Sequence, residues 1–203
     1  MASGGRSAQK VRAEIAQLAA KLMAVDGAPT FLAAKRKAAL QLGVRSDSNM
    51  PTNLEIEQAL ADYERLFQGE ERPQLLKGLR TTAVSAMTLL ETFEPRLVGP
   101  VLAGTATRHS EVTLFLYAEA LEDVGFLLDE HAIPWDMVER NVRTRENDTI
   151  EMPAYRFIAG GNPVVLIVFQ GRQRFLTPLS PVDGKTMRRA GLREVKVLLD
   201  SRE

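Results

Sequence analysis

The chain has 203 residues, enough to bury a core as one domain or as a domain with a helical extension, and its 45% hydrophobic and 26% charged residues are ordinary for a globular protein. Twenty-six Lys and Arg balance 26 Asp and Glu, which argues against a protein that coats nucleic acid by bulk charge but leaves room for a local basic patch. The absence of cysteine excludes disulfides, thiolate metal sites and cysteine nucleophiles, while no apolar run approaches the ~18–20 residues of a membrane span and the first residues lack the apolar centre of a secretory signal, so a cytoplasmic location is the expectation.

The elements read as helices first and strands second. Residues 8–24 carry Val11, Ile15, Leu18, Ala19 and Leu22 at helical spacing, and Asp26-Gly27 ends that helix. A second helix covers 30–42 and closes at Gly43. Residues 45–51 read as a polar loop. Thr52-Asn53-Leu54-Glu55 is a capping box opening a third helix, with an apolar stripe of Ile56, Ala59, Leu60, Tyr63 and Phe67. Residues 69–73 break the chain, and a fourth helix runs over 74–93 until Pro95 stops it.

From Leu97 the period changes. Residues 97–103 form a short apolar run expected as a strand, ending in a small-residue turn at Gly104-Thr105. Residues 112–117 are a second strand, rich in β-branched and aromatic residues. Residues 121–131 form a helix whose Val124, Phe126, Leu127 and Leu128 are expected to pack on the sheet. Strands are predicted over 137–145 and 150–159, with turns at 145–148 and at Gly160-Gly161-Asn162. Val164–Phe169, VVLIVF, has the continuous apolar character of a central strand buried on both faces. Residues 171–175 are a turn, 178–184 an extended loop whose Asp183-Gly184 suits a hairpin tip, and 192–199 a last helix.

The fold class that follows is α+β. A helical region of three to four helices, 1–94, precedes a small mixed sheet with helices on one face, 95–203.

The stretch Gly104–Tyr117, GTATRHSEVTLFLY, resembles the signature of the polymerase-β-type nucleotidyltransferase superfamily. In that family a Gly-Ser pair ends the first strand. A loop follows, then a Ser-Asp-aliphatic-Asp-aliphatic strand, and a third carboxylate opens a later strand. Here Gly104-Thr105 stands at the Gly-Ser pair, Ser110-Glu111-Val112-Thr113-Leu114 at the second element, and Val165 at the third carboxylate. The resemblance implies a nucleotide site formed by Gly104, Thr105, Arg108, His109, Ser110 and Thr113, with Glu111 as metal ligand and catalytic residue if the chain is active, and Mg²⁺ and an NTP as cofactor and substrate. The departures are chemical. Phosphoryl transfer of this kind resembles the two-metal pattern, in which carboxylates hold Mg²⁺ against the phosphates. Glu111 shifts its oxygens by a methylene, Thr113 offers a neutral hydroxyl and Val165 offers nothing. One carboxylate where the family has three argues against a two-metal centre, whereas the Gly104-Thr105 turn retains backbone N–H groups for a phosphate. The chain as a whole also resembles a family of proteobacterial proteins through its AKRKAA, Pro-x-Asn and LSPVDG segments, a resemblance that implies no activity.

Three functions are therefore expected in order. The first is a nucleotidyltransferase-like protein without most of its carboxylates, acting by binding a nucleotide, RNA or a protein partner. The second is a divergent Mg²⁺-dependent nucleotidyltransferase using Glu111, which needs a further carboxylate close by; Glu119 and Glu151 are the ones to check. The third is a helical interaction protein that binds no nucleotide. No membrane partner is expected. Lys35, Arg36 and Lys37 on the second helix, and Arg188 and Arg189 near Lys185, Arg193 and Lys196, read as solvated faces or as two basic patches for RNA or an acidic partner. His109 reads as an exposed loop residue or a phosphate contact, and His131 as a charge at a helix end. Asp129, Glu130 and Asp136 read as solvated charge around that end. Trp135 reads as a core or domain-junction residue.

Overall fold

A computed structural model of the protein describes residues 3–44, 49–67, 71–144 and 148–200. The expected loop at 45–51, the break at 69–73 and the turn at 145–148 lie partly outside the described residues. The elements are α1 (Ser3–Asp26), α2 (Phe31–Gln41), α3 (Asn53–Phe67), α4 (Glu71–Leu89), β1 (Arg96–Val98), α5 (Gly99–Ala103), β2 (Val112–Ala118), α6 (Leu121–Glu130), β3 (Asp136–Arg143), β4 (Thr149–Ala159), β5 (Asn162–Gln170) and α7 (Leu192–Asp200). The fold is α+β, with helices preceding a five-stranded mixed sheet. The chain divides into two compact units, Met1–Arg72 with Thr107–His109, and Pro73–Ala106 with Ser110–Glu203. Among the described residues no helix is long and apolar enough to cross a membrane.

The first unit packs α1 against α2 and α3 through small side chains. Ile15, Ala16, Ala19 and Leu22 meet Ala34, Ala38, Ala39 and Ile56. Alanines at the seam let helix axes approach closely, so that few large side chains still fill the space. Thr30 caps α2, its Oγ1 accepting from Ala33 N at 3.1 Å. The capping box of α3 forms as read. Glu55 N donates to Thr52 Oγ1 at 3.2 Å, and Thr52 N donates to Glu55 Oε2 at 2.7 Å. The same carboxylate takes the Arg12 guanidinium at 2.8 Å from Nε and 2.7 Å from Nη2, tying α3 to α1. That fork of charged bonds holds the Glu55 carboxyl down at about 2. The expected apolar stripe needs one correction. Phe67 is 69% exposed, stacked on Tyr63, while Glu64 is buried on the face of Ile56 and Leu60. A four-residue step carries the buried line from Ile56 through Leu60 to Glu64, and Phe67 lies off it.

The second unit is built on the sheet, in the order β1-β2-β5-β4-β3. β2 and β5 are parallel and every other pair is antiparallel. β5 is the middle strand and Val164–Phe169 is buried throughout, as its unbroken apolar run predicts. Leu114, Leu116, Leu166, Val168, Tyr155 and Phe157 form one core with Leu79, Met87, Leu90, Val101, Leu128 and Val195, so α4, α5, α6 and α7 share one face of the sheet. The opposite face carries Val98, Phe115, Met152, Val165, Ile167 and Phe169, with Leu176 and Met187 packed on it.

Two expectations change here. Residues 97–103 are not one strand: β1 ends at Val98, Gly99 takes φ +73°, and Pro100 opens the short α5. Gly99 supplies the turn that a side chain resists, and the fixed φ of Pro100 suits a first helical turn. Phe126 does not pack on the sheet but is 69% exposed, because the buried line of α6 is Val124, Gly125 and Leu128. Residues 171–175 wind into a 3₁₀ turn. The Asp183-Gly184 hairpin tip forms, with Gly184 at φ +70° and an antiparallel bridge between Leu179 and Thr186.

Candidate functional site

The sheet register brings the expected acid positions together. Thr113 lies opposite Val165 across the parallel β2–β5 pair, and Val165 lies opposite Arg156 across β5–β4. Val98 pairs with Thr113 at one end of this row and Asp136 with Arg156 at the other. Residues paired across a sheet emerge on the same side, which here is the face away from the helices. Glu111 stands immediately before β2, two residues from Thr113.

Two arginines hold Glu111. Arg140 Nη2 donates to its Oε2 at 3.0 Å and Arg156 Nε donates to its Oε1 at 3.1 Å. Arg140 comes from β3 and Arg156 from β4, so three separate parts of the sheet converge on one carboxylate. The side chains are 29% exposed for Glu111, 34% for Arg140 and 45% for Arg156, which leaves the cluster open to solvent on one side. Two guanidiniums against one carboxylate give the triad itself a surplus of one positive charge, with Asp136 opposite Arg156 in the register on the same face. Val165, at the third acid position, is fully buried and closes the floor with hydrocarbon.

This donor set does not fit Mg²⁺. A divalent cation needs carboxylate oxygens in a near-octahedral array, and both oxygens of Glu111 already accept from guanidiniums. A cation placed there would face the net positive charge of Arg140 and Arg156. Neither carboxylate marked for checking joins the cluster. Glu119 follows β2 at its other end. Glu151 pairs with Asn141 and alternates onto the face opposite Met152 and Arg156. Among the described residues no group of three or more His, Cys, Asp or Glu is placed to hold a metal ion.

The remaining expected site residues are distributed differently. The backbone N–H groups of Gly104 and Thr105 donate to Pro100 O, the latter at 3.0 Å, and so complete the end of α5. Carbonyl oxygens point outward at a helix C-terminus, and its partial charge is negative. Ser110 is half-buried ahead of Glu111. Arg108 and His109 belong to the first unit. There Arg108 Nη2 donates to Val25 O at 3.1 Å and the His109 Nε2 lies 3.1 Å from the same carbonyl. The His131 Nδ1 lies 2.9 Å from Leu127 O at the end of α6, and Trp135 donates to Asp129 Oδ1 at 2.8 Å while meeting Tyr155 edge-on.

No protein-family model matches the chain, and no curated protein matches it at a significant level. The functional argument therefore rests on the residues themselves.

The basic residues singled out in the sequence are mostly spent on local partners. Lys35 donates to Pro51 O at 2.8 Å, and desolvation lowers its ammonium pKa. Lys37 pairs with Asp26 and Arg188 with Glu194, each at 3.0 Å, and Arg36 is exposed. Sequence reasoning missed Arg140 and Arg156. The signal was present: each interrupts an alternating apolar face, Val138-Arg140-Val142 on β3 and Met152-Ala154-Arg156 on β4. A charge that points where hydrocarbon is due has a partner to meet.

Proposed function

We propose that the second unit is a nucleotidyltransferase-like domain that no longer performs metal-dependent transfer and instead binds a nucleotide, with Arg140 and Arg156 taking its phosphates. The observation that carries this reading is the Arg140–Glu111–Arg156 bridge. It occupies the one carboxylate left from the resemblance and places fixed cations where the family would hold mobile ones.

Two features support it, and a third corrects the alignment behind it. The positions that the resemblance marks, Thr113 and Val165, are direct register partners with Glu111 beside them. β1 ends at a glycine ahead of Glu111, but that glycine is Gly99 and not the Gly104-Thr105 pair aligned from the sequence, which ends α5 instead. The cluster is partly exposed and net positive, so a phosphate can exchange with the Glu111 carboxylate for the guanidinium donors. Guanidiniums bind phosphate through paired, charge-assisted bonds and need no metal to do so.

The test is equilibrium binding of a fluorescent ATP analogue in the absence of divalent ions, to the wild-type chain and to Arg140→Ala/Arg156→Ala. Metal-free binding that the double variant loses supports the reading. Equal binding by both proteins removes the arginines from the site.

A further inference from the structure

A second polar cavity opens at the other end of β2. Its volume is about 410 Å³ and it is lined by Glu94, Arg96, Tyr117, Arg174 and Arg189. It shares no residue with the Arg140–Glu111–Arg156 cluster. Arg96 starts β1, Tyr117 is near the end of β2, and Arg174 lies in the 3₁₀ turn after β5. Arg189 precedes Ala190, whose N and O both pair with Leu97, at 3.0 and 2.9 Å. This backbone pairing carries Arg189 to the β1 edge.

The cavity is shaped around its arginines. Gly191 lies directly against one of them: a Cβ there would come 2.6 Å from Arg96 Nη1, so a larger residue would push that guanidinium aside. Arg189 Nη1 donates to Tyr117 Oη at 3.0 Å, which leaves the phenol proton available to a ligand. Arg174 Nη2 pairs with Glu94 Oε1 at 3.2 Å. Three guanidiniums against one carboxylate leave two positive charges unbalanced. Beyond Tyr117 and Arg174 the lining turns acidic. An adjoining cavity of about 250 Å³ shares Glu94, Tyr117 and Arg174 and adds Glu119 and Asp123. A long polyanion such as a nucleic-acid strand would run into these carboxylates, whereas a compact anion need not leave the basic end.

We infer that this cavity binds a compact polyphosphate group, two or three linked phosphates, on Arg96, Arg174 and Arg189 with Tyr117 as a further donor. The site is separate from the nucleotide site proposed above, and it stands whether or not that proposal does.

The probe is inorganic pyrophosphate, titrated calorimetrically into the full chain without divalent metal. Saturable binding is expected, and in an Arg140→Ala/Arg156→Ala background, which removes any phosphate held by that cluster, it should reduce to one site. Arg96→Gln and Arg189→Gln should each weaken it about tenfold, the worth of one charge-assisted contact. Glu94→Gln should tighten it, because Arg174 is released, and a loss of fold cannot produce that sign. Arg140→Gln and Arg156→Gln should remove only pyrophosphate held at the Arg140–Arg156 cluster and leave the component at this cavity unchanged. The inference is overturned if the wild-type chain shows no saturable binding. It is equally overturned if Glu94→Gln weakens binding, or if binding is lost in the Arg140 and Arg156 variants but kept in Arg96→Gln and Arg189→Gln.

Discussion

Arg156 reaches Glu111 at 3.1 Å from a strand that begins 38 residues further along the chain, at Thr149. Glu111 is thus a counter-ion within the fold before it is anything else. If phosphate competes with it for Arg140 and Arg156, Glu111→Gln should tighten metal-free nucleotide binding by a factor of about 2–5, the worth of a partly exposed charge pair. The same change should cost about 0.5–1 kcal/mol in stability, read from urea melts. An enzyme that uses Glu111 as a metal ligand would lose binding and activity together.

Gly125 on α6 faces the hydroxyl of Tyr155. A Cβ there would lie 2.9 Å from Tyr155 Oη, which already donates to Leu121 O at 2.9 Å and is 2% exposed. Replacing a helical glycine by alanine normally gains about 1 kcal/mol. Here Gly125→Ala should instead destabilise the second unit by about 1–3 kcal/mol through overpacking. In a Tyr155→Phe background the penalty should shrink by at least half, a non-additivity that a double-mutant cycle in denaturant would measure.

Acid should loosen the first unit in a defined window. The folded pKa of Glu55, about 2, lies below its ordinary value of 4.5, so the Arg12–Glu55–Thr52 contacts contribute fully above pH 4.5 and fade as pH falls toward 2. Amide protection factors in α1 and α3, taken against the intrinsic exchange rate at each pH, should fall across that interval in the wild-type chain. In Glu55→Gln protection should already be lower at pH 6 and change less on acidification.

Gly27 closes α1 at φ +67°, and a Cβ there would lie 3.1 Å from the His109 ring. Gly27→Ala should cost about 1–2 kcal/mol from the backbone alone. In a His109→Ala background the Gly27→Ala penalty should lose its crowding part and keep the φ part, a coupling that a double-mutant cycle measures.

The parts of the fold set by local chemistry could be read from the residues. The VVLIVF run announced a strand buried on both faces, and Thr52 with Glu55 announced the start of α3. The switch from β1 to α5 at Gly99-Pro100 was hidden because four apolar residues look alike in a buried strand and a buried helix. Glu64 escaped notice because a lone acid on a helix is usually solvated. The candidate site was half legible. Glu111, Thr113 and Val165 could be aligned along the chain; Arg140 and Arg156 stood out locally only as charges on apolar strand faces, and their meeting with Glu111 follows from the register of β3, β4 and β5, which no local pattern specifies.

The central claim is that arginines do at this site what a metal would otherwise do. It is tested most directly by calorimetric titration of the purified chain with ATP, GTP, CTP and UTP, each with and without Mg²⁺ or Mn²⁺. The account predicts saturable binding of at least one nucleotide with the same affinity in both conditions. Binding that appears only with the metal, or no binding of any of the four, would contradict it.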